Sequence, residues 1–569
     1  MSIPNTDNNS NTGAKVVFIL ILGILLMIGG AFLSSYMVQK LIKLPQVTHS
    51  PTLWLDYWKA KSQPAYQPYA KKINMGVAIG FGVPTALLAG LLILAVIPRQ
   101  RSLHGNARFA SAGELAGKGM FKPHKNGIVV GKMGGKLLRL GGQQFVILAA
   151  PTRSGKGVGI VIPNLLDYQE SMVVLDIKQE NFDLTSGWRA SVGHEIYLLN
   201  PFAEDRRSHR WNPLSYVSAD PAFRVSDLMS IAAMLYPDGA EDQKFWVSQA
   251  RNAFMAFALF LFEKYDDDQK IGFPFSKKPT IGAIYRLSSG DGKTELKPFL
   301  KELAQRPFLS SQAKTAFAGM LSQADETFAS ILGTFKEPLN PWINPILDAV
   351  TSEDDFSLND VRRKKMTIYI GIQPNKLAES RLIVNLFFSQ LINQNTKELP
   401  QNNKELQHQC LLLMDEFTAI GKVDIIATAV SYMAGYNIRL LPIIQSMSQL
   451  DAVYGKDMSR TMITNHALQI VYAPREQQDA NDYSEMLGYT TVRKDSFTRG
   501  REFSRSESEE RRALMLPQEL KAIGFDKEIF FYEGIPNPVF CDKIKYFSDK
   551  YFTERLLPAV TVDALEIKI

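Results

Sequence analysis

The chain holds 569 residues, 46% apolar and 21% charged, which excludes a disordered or collagen-like polymer and allows about four modules of ~150 residues. Two cysteines exclude a disulfide scaffold and point to a reducing compartment, and no Cys/His cluster has zinc spacing. Taking 57 Asp and Glu from 64 Lys and Arg leaves +7, which fits a polyanionic partner and equally a basic cytosolic protein anchored at a membrane.

Residues 1–13 are polar and rich in Asn, Ser and Thr, and a disordered cytosolic tail is expected over 1–15. Residues 16–38 then carry no charge, and residues 75–97 repeat the pattern. Each meets the roughly 20 residues that a bilayer-spanning helix needs. The first is too long for the apolar part of a signal peptide, has one flanking Lys15 and shows no small-x-small cleavage site. In the second, Gly76 with Gly80 and Ala86 with Gly90 form small-xxx-small pairs suited to close helix packing in lipid. Pro84 is tolerable there if neighbours satisfy the freed backbone. A membrane domain is therefore expected over 16–98, with a loop at 39–74. Residues 39–72 hold six lysines, which by the positive-inside rule alone would lie in the cytosol. The nucleotide site that follows residue 100 outweighs them, because nucleoside triphosphates are cytosolic. The loop is then expected outside, with Trp54, Tyr57, Trp58, Tyr66 and Tyr69 at the interface.

From residue 145 onward, short apolar β-branched runs alternate with helical stretches. Strands are expected at 145–149, 172–176, 195–200, 367–372, 410–416, 438–445, 467–473 and 528–533. Near-continuous apolar strands imply that both faces are covered, as in a parallel α/β sheet. Residues 221–348 break the alternation with helical patterning, clearest at 243–265 and 310–335, and read as an inserted all-α domain. The polar, charged stretch 493–512 is expected to be a mobile loop.

Three places carry chemistry. In FVILAAPTRSGKGVGIVIPNLL, the stretch Ala150, Pro151, Thr152, Arg153, Ser154, Gly155, Lys156, Gly157 and Val158 has the P-loop spacing after an apolar strand. Such a loop surrounds phosphates with backbone N–H groups, sends a lysine to the β/γ-phosphates and faces a helix N-terminus to the anion. Ala150 replaces the usual first glycine, and Gly157 replaces the Ser/Thr that ligates magnesium. A Gly-rich turn without a ligand is the plainer alternative. In CLLLMDEFTAIG, an apolar strand ends in Asp415-Glu416, the Walker B pattern. Asp415 would hold Mg²⁺ and Glu416 would polarise the attacking water. Alone, a solvated acidic pair explains this equally; with the P-loop, the adjacent pair points to ATPases that keep the catalytic glutamate beside the metal aspartate. In IIQSMSQL, Gln445 would end a strand neighbouring Walker B and reach the γ-phosphate or the water; a satisfied loop amide fits as well. Pro442 inside that strand is unusual for a central position, so a bulge is one expectation.

HGNARFAS, PTRSGKGVG with IPNLL, VVLDIKQEN, WNPLS, DEFTAIG, IIQSMSQL and YSEMLGYTTV follow in this order behind two apolar spans. Together they resemble the coupling proteins of type IV secretion systems, the TraG/TraD type of conjugation, over about residues 1–555. The family's P-loop often ends in Lys-Gly, so Gly157 conforms, whereas Ala150, Gln179 (often Gly) and Thr418 (often Pro) depart. The resemblance implies a RecA-like nucleotide-binding domain over 99–220 and 349–569, split by the all-α domain. It implies a multi-pass protein of the bacterial inner membrane whose 39–74 loop is periplasmic, and a homo-hexameric ring. ATP with Mg²⁺ would be its cofactors, and Lys156, Asp415, Glu416 and Gln445 would carry over. A relaxase–DNA complex or effector proteins would be handed to the secretion channel, with the all-α domain sharing in substrate selection. An arginine supplied in trans would complete each site, with Arg460 and Arg475 as candidates. Two other readings stay open: the same ATPase dedicated to effector proteins, and a membrane docking receptor that binds nucleotide but hardly hydrolyses it, suggested by the missing hydroxyl at Gly157.

Overall fold

The computed structural model describes residues 10–96, 103–499 and 503–567. The chain divides into two compact units, Met1–Leu103 and His104–Ile569.

In the first unit, helix Ser10–Ile42 packs against helix Ala70–Val96. The stretches Ile21–Ile42 and Gln67–Gly90 are long and apolar enough to cross a membrane. Most of the expected tail over 1–15 lies outside the described residues, but 10–15 are helical, since extending a formed helix gains a hydrogen bond for each residue fixed. Gly76 and Gly80 face Val38 and Ser34 so closely that a Cβ at either would overlap the opposing backbone. Ala86 is exposed and Gly90 meets open space, so of the two small-residue pairs only the first is a contact. The Thr85 hydroxyl donates to the Phe81 carbonyl (2.7 Å) in the turn that Pro84 disturbs. Between the helices, the Gln39 amide both donates to and accepts from the Thr48 backbone at 2.8 Å, and the Trp54 ring meets Phe81 edge-on at 4.9 Å. Trp58, Tyr66 and Tyr69 are exposed.

In the second unit, one sheet of eleven strands organises the chain. They are β1 (Ile128–Met133), β2 (Lys136–Leu140), β3 (Val146–Ala149), β4 (Ser171–Asp176), β5 (Glu195–Leu199), β6 (Met366–Gly371), β7 (Cys410–Met414), β8 (Ile438–Ile444) and β9 (Leu468–Val471), with β12 (Lys527–Tyr532) and β13 (Ile535–Asp542). Two further strands, β10 (Tyr489–Arg499) and β11 (Phe503–Ala513), form a separate two-stranded sheet, with one bridge from Thr490 to Asn106. The sheet order is β2-β1-β13-β12-β9-β3-β8-β7-β4-β6-β5. From β9 to β5 every pair is parallel; from β9 outward to β2 every pair is antiparallel. The expected parallel sheet is thus the core of a mixed one. Alternate residues of the parallel strands enter two separate cores: Ile147, Val173, Leu412 and Leu440 on one face, Leu148, Val174, Leu413 and Leu441 on the other. That explains why these strands read as continuous apolar runs.

The expected loop at 493–512 is instead the hairpin β10–β11, in register from Tyr489↔Ala513 to Arg499↔Phe503, with residues 500–502 outside the described set. Cross-strand ion pairs Arg493–Glu509 (3.4 Å) and Lys494–Glu510 (3.5 Å) replace the apolar alternation that marks strands elsewhere.

Between β5 and β6 the described elements are all helical. The longest is Lys244–Lys270, and the expected run at 310–335 is two helices, Ser311–Leu321 and Asp325–Lys336. The stretch Glu241–Lys270 is also long and apolar enough for a membrane span, but half of its apolar window is buried in protein, with Phe254, Phe257 and Phe260 in the core. Residues 221–348 do not separate as a unit of their own, because these helices share one continuous core with a face of the sheet.

Candidate functional site

The sheet order decides which loops meet. Strand β3 leads into the 150–158 loop, β7 into Asp415-Glu416 and β8 into Gln445, and β8 lies between the other two. All three are parallel, so the three loops leave the same edge of the sheet. Pro442 fits without a bulge: β8 pairs with β7 through Met414↔Pro442, while its ladder with β3 starts only at Leu148↔Ile443, past the missing N–H.

Ala150 is fully buried and its N–H donates to the Ile444 carbonyl (2.8 Å), closing the strand end. The chain then turns through two left-handed residues, Arg153 (φ +59°) and Gly155 (φ +87°). That alternation gathers successive N–H groups into an anion-binding concavity. Lys156 opens a helix whose first turn, Gly157–Val161, is widened to i→i+5 bonding, a feature frequent at functional sites. Thr152 and Arg153 are exposed, Pro151, Gly155, Gly157 and Val158 are half-buried, and Ser154 is buried with its hydroxyl unpartnered. A Cβ at Gly157 would meet open space.

Lys156 forms an ion pair with Glu416 and lies 3.7 Å from Asp415 Oδ1. Gln445 Nε2 donates to Glu416 Oε2 (2.9 Å), and Gln449 Nε2 donates to Gln445 Oε1 (3.2 Å). The structure thus brings Lys156, Asp415, Glu416 and Gln445 into one cluster. Glu416 sits at φ +55°, a left-handed conformation that a side chain occupies only when its surroundings enforce it. Burial drives both carboxyls toward higher pKa. For Asp415 it prevails over Lys156, and the carboxyl lies above the usual range. For Glu416 the Lys156 ion pair and the Gln445 amide outweigh burial, and it lies below.

Asp415 also passes a test for a cation: its Oδ1 is buried without a hydrogen-bond partner, beside a lysine too distant to donate. Among the described residues no three His, Cys, Asp or Glu side chains form a metal cluster, so other Mg²⁺ ligands would be phosphate oxygens and waters.

Three further residues, quoted in VVLDIKQEN and IIQSMSQL without a role, lie at this cluster. Asp176 ends β4, next to β7, accepts from the Phe182 N–H (2.8 Å), and is pushed by burial up to about 7, with Asp415 adding to the shift. Its signal was present: it closes an apolar strand as Asp415 does. Lys178 follows it and draws the Asp415 and Glu416 carboxyls down. Gln449, in the helix Met447–Tyr454, reaches back to Gln445. Gln179, where the family often has glycine, is left-handed at φ +61°, which explains that preference. Arg460 and Arg475 are exposed, and neither forms an ion pair with a described residue.

The sequence profile described as Type IV secretory system Conjugative DNA transfer matches residues 102–566. The VirD4 protein of Rhizobium radiobacter is 31% identical over 503 residues, covering 86% of this chain and 70% of VirD4. The conjugal transfer protein TraG of Escherichia coli is 27% identical over 578 residues, covering 91% of this chain and 88% of TraG. The plasmid coupling protein TrwB, in complex with ADP and Mg²⁺, shares the fold at a TM-score of 0.53 and 19% identity, over 79% of this chain and 95% of that one. The chain belongs to the family of type IV secretory system conjugative DNA transfer proteins.

Proposed function

We propose that this chain is an ATPase of the bacterial inner membrane that hands a relaxase–DNA complex, or effector proteins, to a type IV secretion channel and uses ATP hydrolysis to drive or gate transfer. The observation that carries this reading is the convergence of Lys156, Asp415, Glu416 and Gln445 at the ends of three neighbouring parallel strands. The names of VirD4, TraG and TrwB support the transfer role, and the ADP and Mg²⁺ of TrwB support the ligands.

The 150–158 N–H groups cradle the phosphates and Lys156 binds the β/γ-phosphates. Asp415 would hold Mg²⁺, which supplies charge neutralisation at the phosphate oxygens. Glu416 accepts the proton of the attacking water. A triphosphate competes with Glu416 for Lys156. As the ammonium moves to the phosphates, Glu416 loses a contact that holds its pKa down, and its basicity rises when substrate docks. Gln445 keeps the carboxylate oriented through that exchange.

In this reading, 16–98 anchor a homo-hexamer, the 39–74 loop is periplasmic, and the remainder is cytoplasmic. Residues 221–348 serve substrate selection, and Arg460 or Arg475 reaches a neighbour's site. Gly157, lacking the usual magnesium-ligating hydroxyl, favours a second reading, a docking receptor with little turnover. ATPase assays separate the alternatives. Stimulation by DNA supports DNA transfer, stimulation only by a secreted protein supports an effector ATPase, and binding without turnover supports the receptor.

A further inference from the structure

The antiparallel end of the sheet reaches the phosphate loop from behind. Lys543, the residue after β13, is 8% exposed, and its Nζ donates to the Ser154 carbonyl at 3.3 Å. The same ammonium stands 3.6 Å from the centre of the Tyr472 ring. Glu528 of β12 is fully buried nearby, with Cys541 Sγ of β13 3.7 Å from its Oε1. The packing leaves no slack. A Cβ on Gly159, in the helix behind the loop, would overlap the Tyr472 hydroxyl, and one on Gly131 of β1 would overlap Glu528 and Cys541. Lys543 is thus a buried lysine with its ammonium against the Tyr472 ring.

Ser154 lies between the two left-handed residues of the loop, Arg153 and Gly155. In such a turn the N–H groups face the anion while a carbonyl is turned away from it. We propose that Lys543 is a positioning residue for the phosphate loop: by holding the Ser154 carbonyl, it fixes the turn that aims the loop N–H groups at a nucleotide. The inference rests on residues 150–158 being that loop. An ammonium suits the task, because a charged donor binds a carbonyl more strongly than a neutral one. Burial lowers Lys543 to about 8, with Glu528 and Asp526 opposing the shift, so the charge persists at neutral pH.

The test uses the full-length protein in detergent, with a fluorescent ATP analogue and Mg²⁺ as probe. Lys543→Met keeps the stem and removes the ammonium; Lys543→Arg restores charge and donors. Lys543→Met is expected to raise Kd and KM about tenfold, the loss of one charge-assisted hydrogen bond. Its kcat at saturating nucleotide stays within about twofold of the parent, since the reacting groups are untouched. Lys543→Arg returns Kd to near the parent value. A merely structural lysine would lower the melting temperature and leave KM alone. An unchanged Kd in folded Lys543→Met overturns the proposal. If that variant does not fold, Lys543→Gln is compared with Lys543→Arg, and equal affinities overturn it. Failure of the loop reading itself is distinct: Lys156→Ala would then bind the probe as well as the parent.

Discussion

Replacing Glu416 by Gln removes a charge and keeps the shape. In the parent, the Glu416 carboxylate pairs with Lys156 and accepts from Gln445 at 2.9 Å. The amide oxygen of the variant still accepts from Gln445 but takes no proton from water. Loss of a general base lowers kcat by about 10²- to 10⁴-fold. Binding moves the other way. Lys156 and Glu416 are 13% and 21% exposed, so separating them to admit phosphate costs the parent a partly desolvated charged contact, about 1 kcal/mol after screening. The variant escapes most of that cost, and its Kd for ATP falls by about fivefold. Asp415, 3.7 Å from the same ammonium, keeps the gain at this lower end. Phosphate release at saturating Mg-ATP gives kcat, and equilibrium fluorescence with an ATP analogue gives Kd. An unchanged kcat moves the base elsewhere. A lower kcat with weaker binding refutes the competition for Lys156.

Gly157 has open space at its Cβ position, so Gly157→Ser is tolerated and lowers the Mg²⁺ needed for half-maximal ATPase activity, whereas Asp415→Ala raises it sharply or ends turnover. An Asp415→Ala titration like the parent's contradicts the metal assignment. Asp176 is 1% exposed with a folded pKa of about 7, so the native state binds its proton more tightly than the unfolded chain and stability falls as pH rises from the ordinary carboxylate range through about 7. Asp176→Asn therefore raises the melting temperature most at pH 8, with a smaller gain at pH 5; equal gains at both contradict it. Gly80→Ala puts a methyl into the Ser34 backbone, and overpacking of this kind destabilises by about 1–3 kcal/mol. Unaltered melting in detergent would show that the two helices do not need this contact.

The parallel half of the fold was legible because its information is local. Strands β3, β4, β7 and β8 are predominantly apolar, with Arg439 the one charged residue inside β8, and the 150–158 loop and Asp415-Glu416 follow β3 and β7. What the spacing left open was proximity, which the order β3-β8-β7 supplies. The antiparallel half was hidden for identifiable reasons. Strand β13 carries Pro536 and Pro538, normally evidence against a strand, yet its ladder with β1 reaches only Lys132↔Asp542, so no partner on that side needs their N–H groups. The β1–β2 turn is Gly134-Gly135, both left-handed, a hairpin signal that passed unread. The β10–β11 hairpin is specified by cross-strand charge, to which hydrophobic periodicity is blind. Lys543 was illegible for a different reason: its partner in the loop is 389 residues away.

We propose that Lys156, Asp415, Glu416 and Gln445 form one ATP-hydrolysing centre. The most direct measurement is phosphate release from ATP by the full-length protein in lipid vesicles, beside Lys156→Ala. Mg²⁺-dependent release is expected from the parent and none above background from the variant, because the phosphates lose the lysine that the P-loop supplies. Release by Lys156→Ala at the parental rate would contradict it.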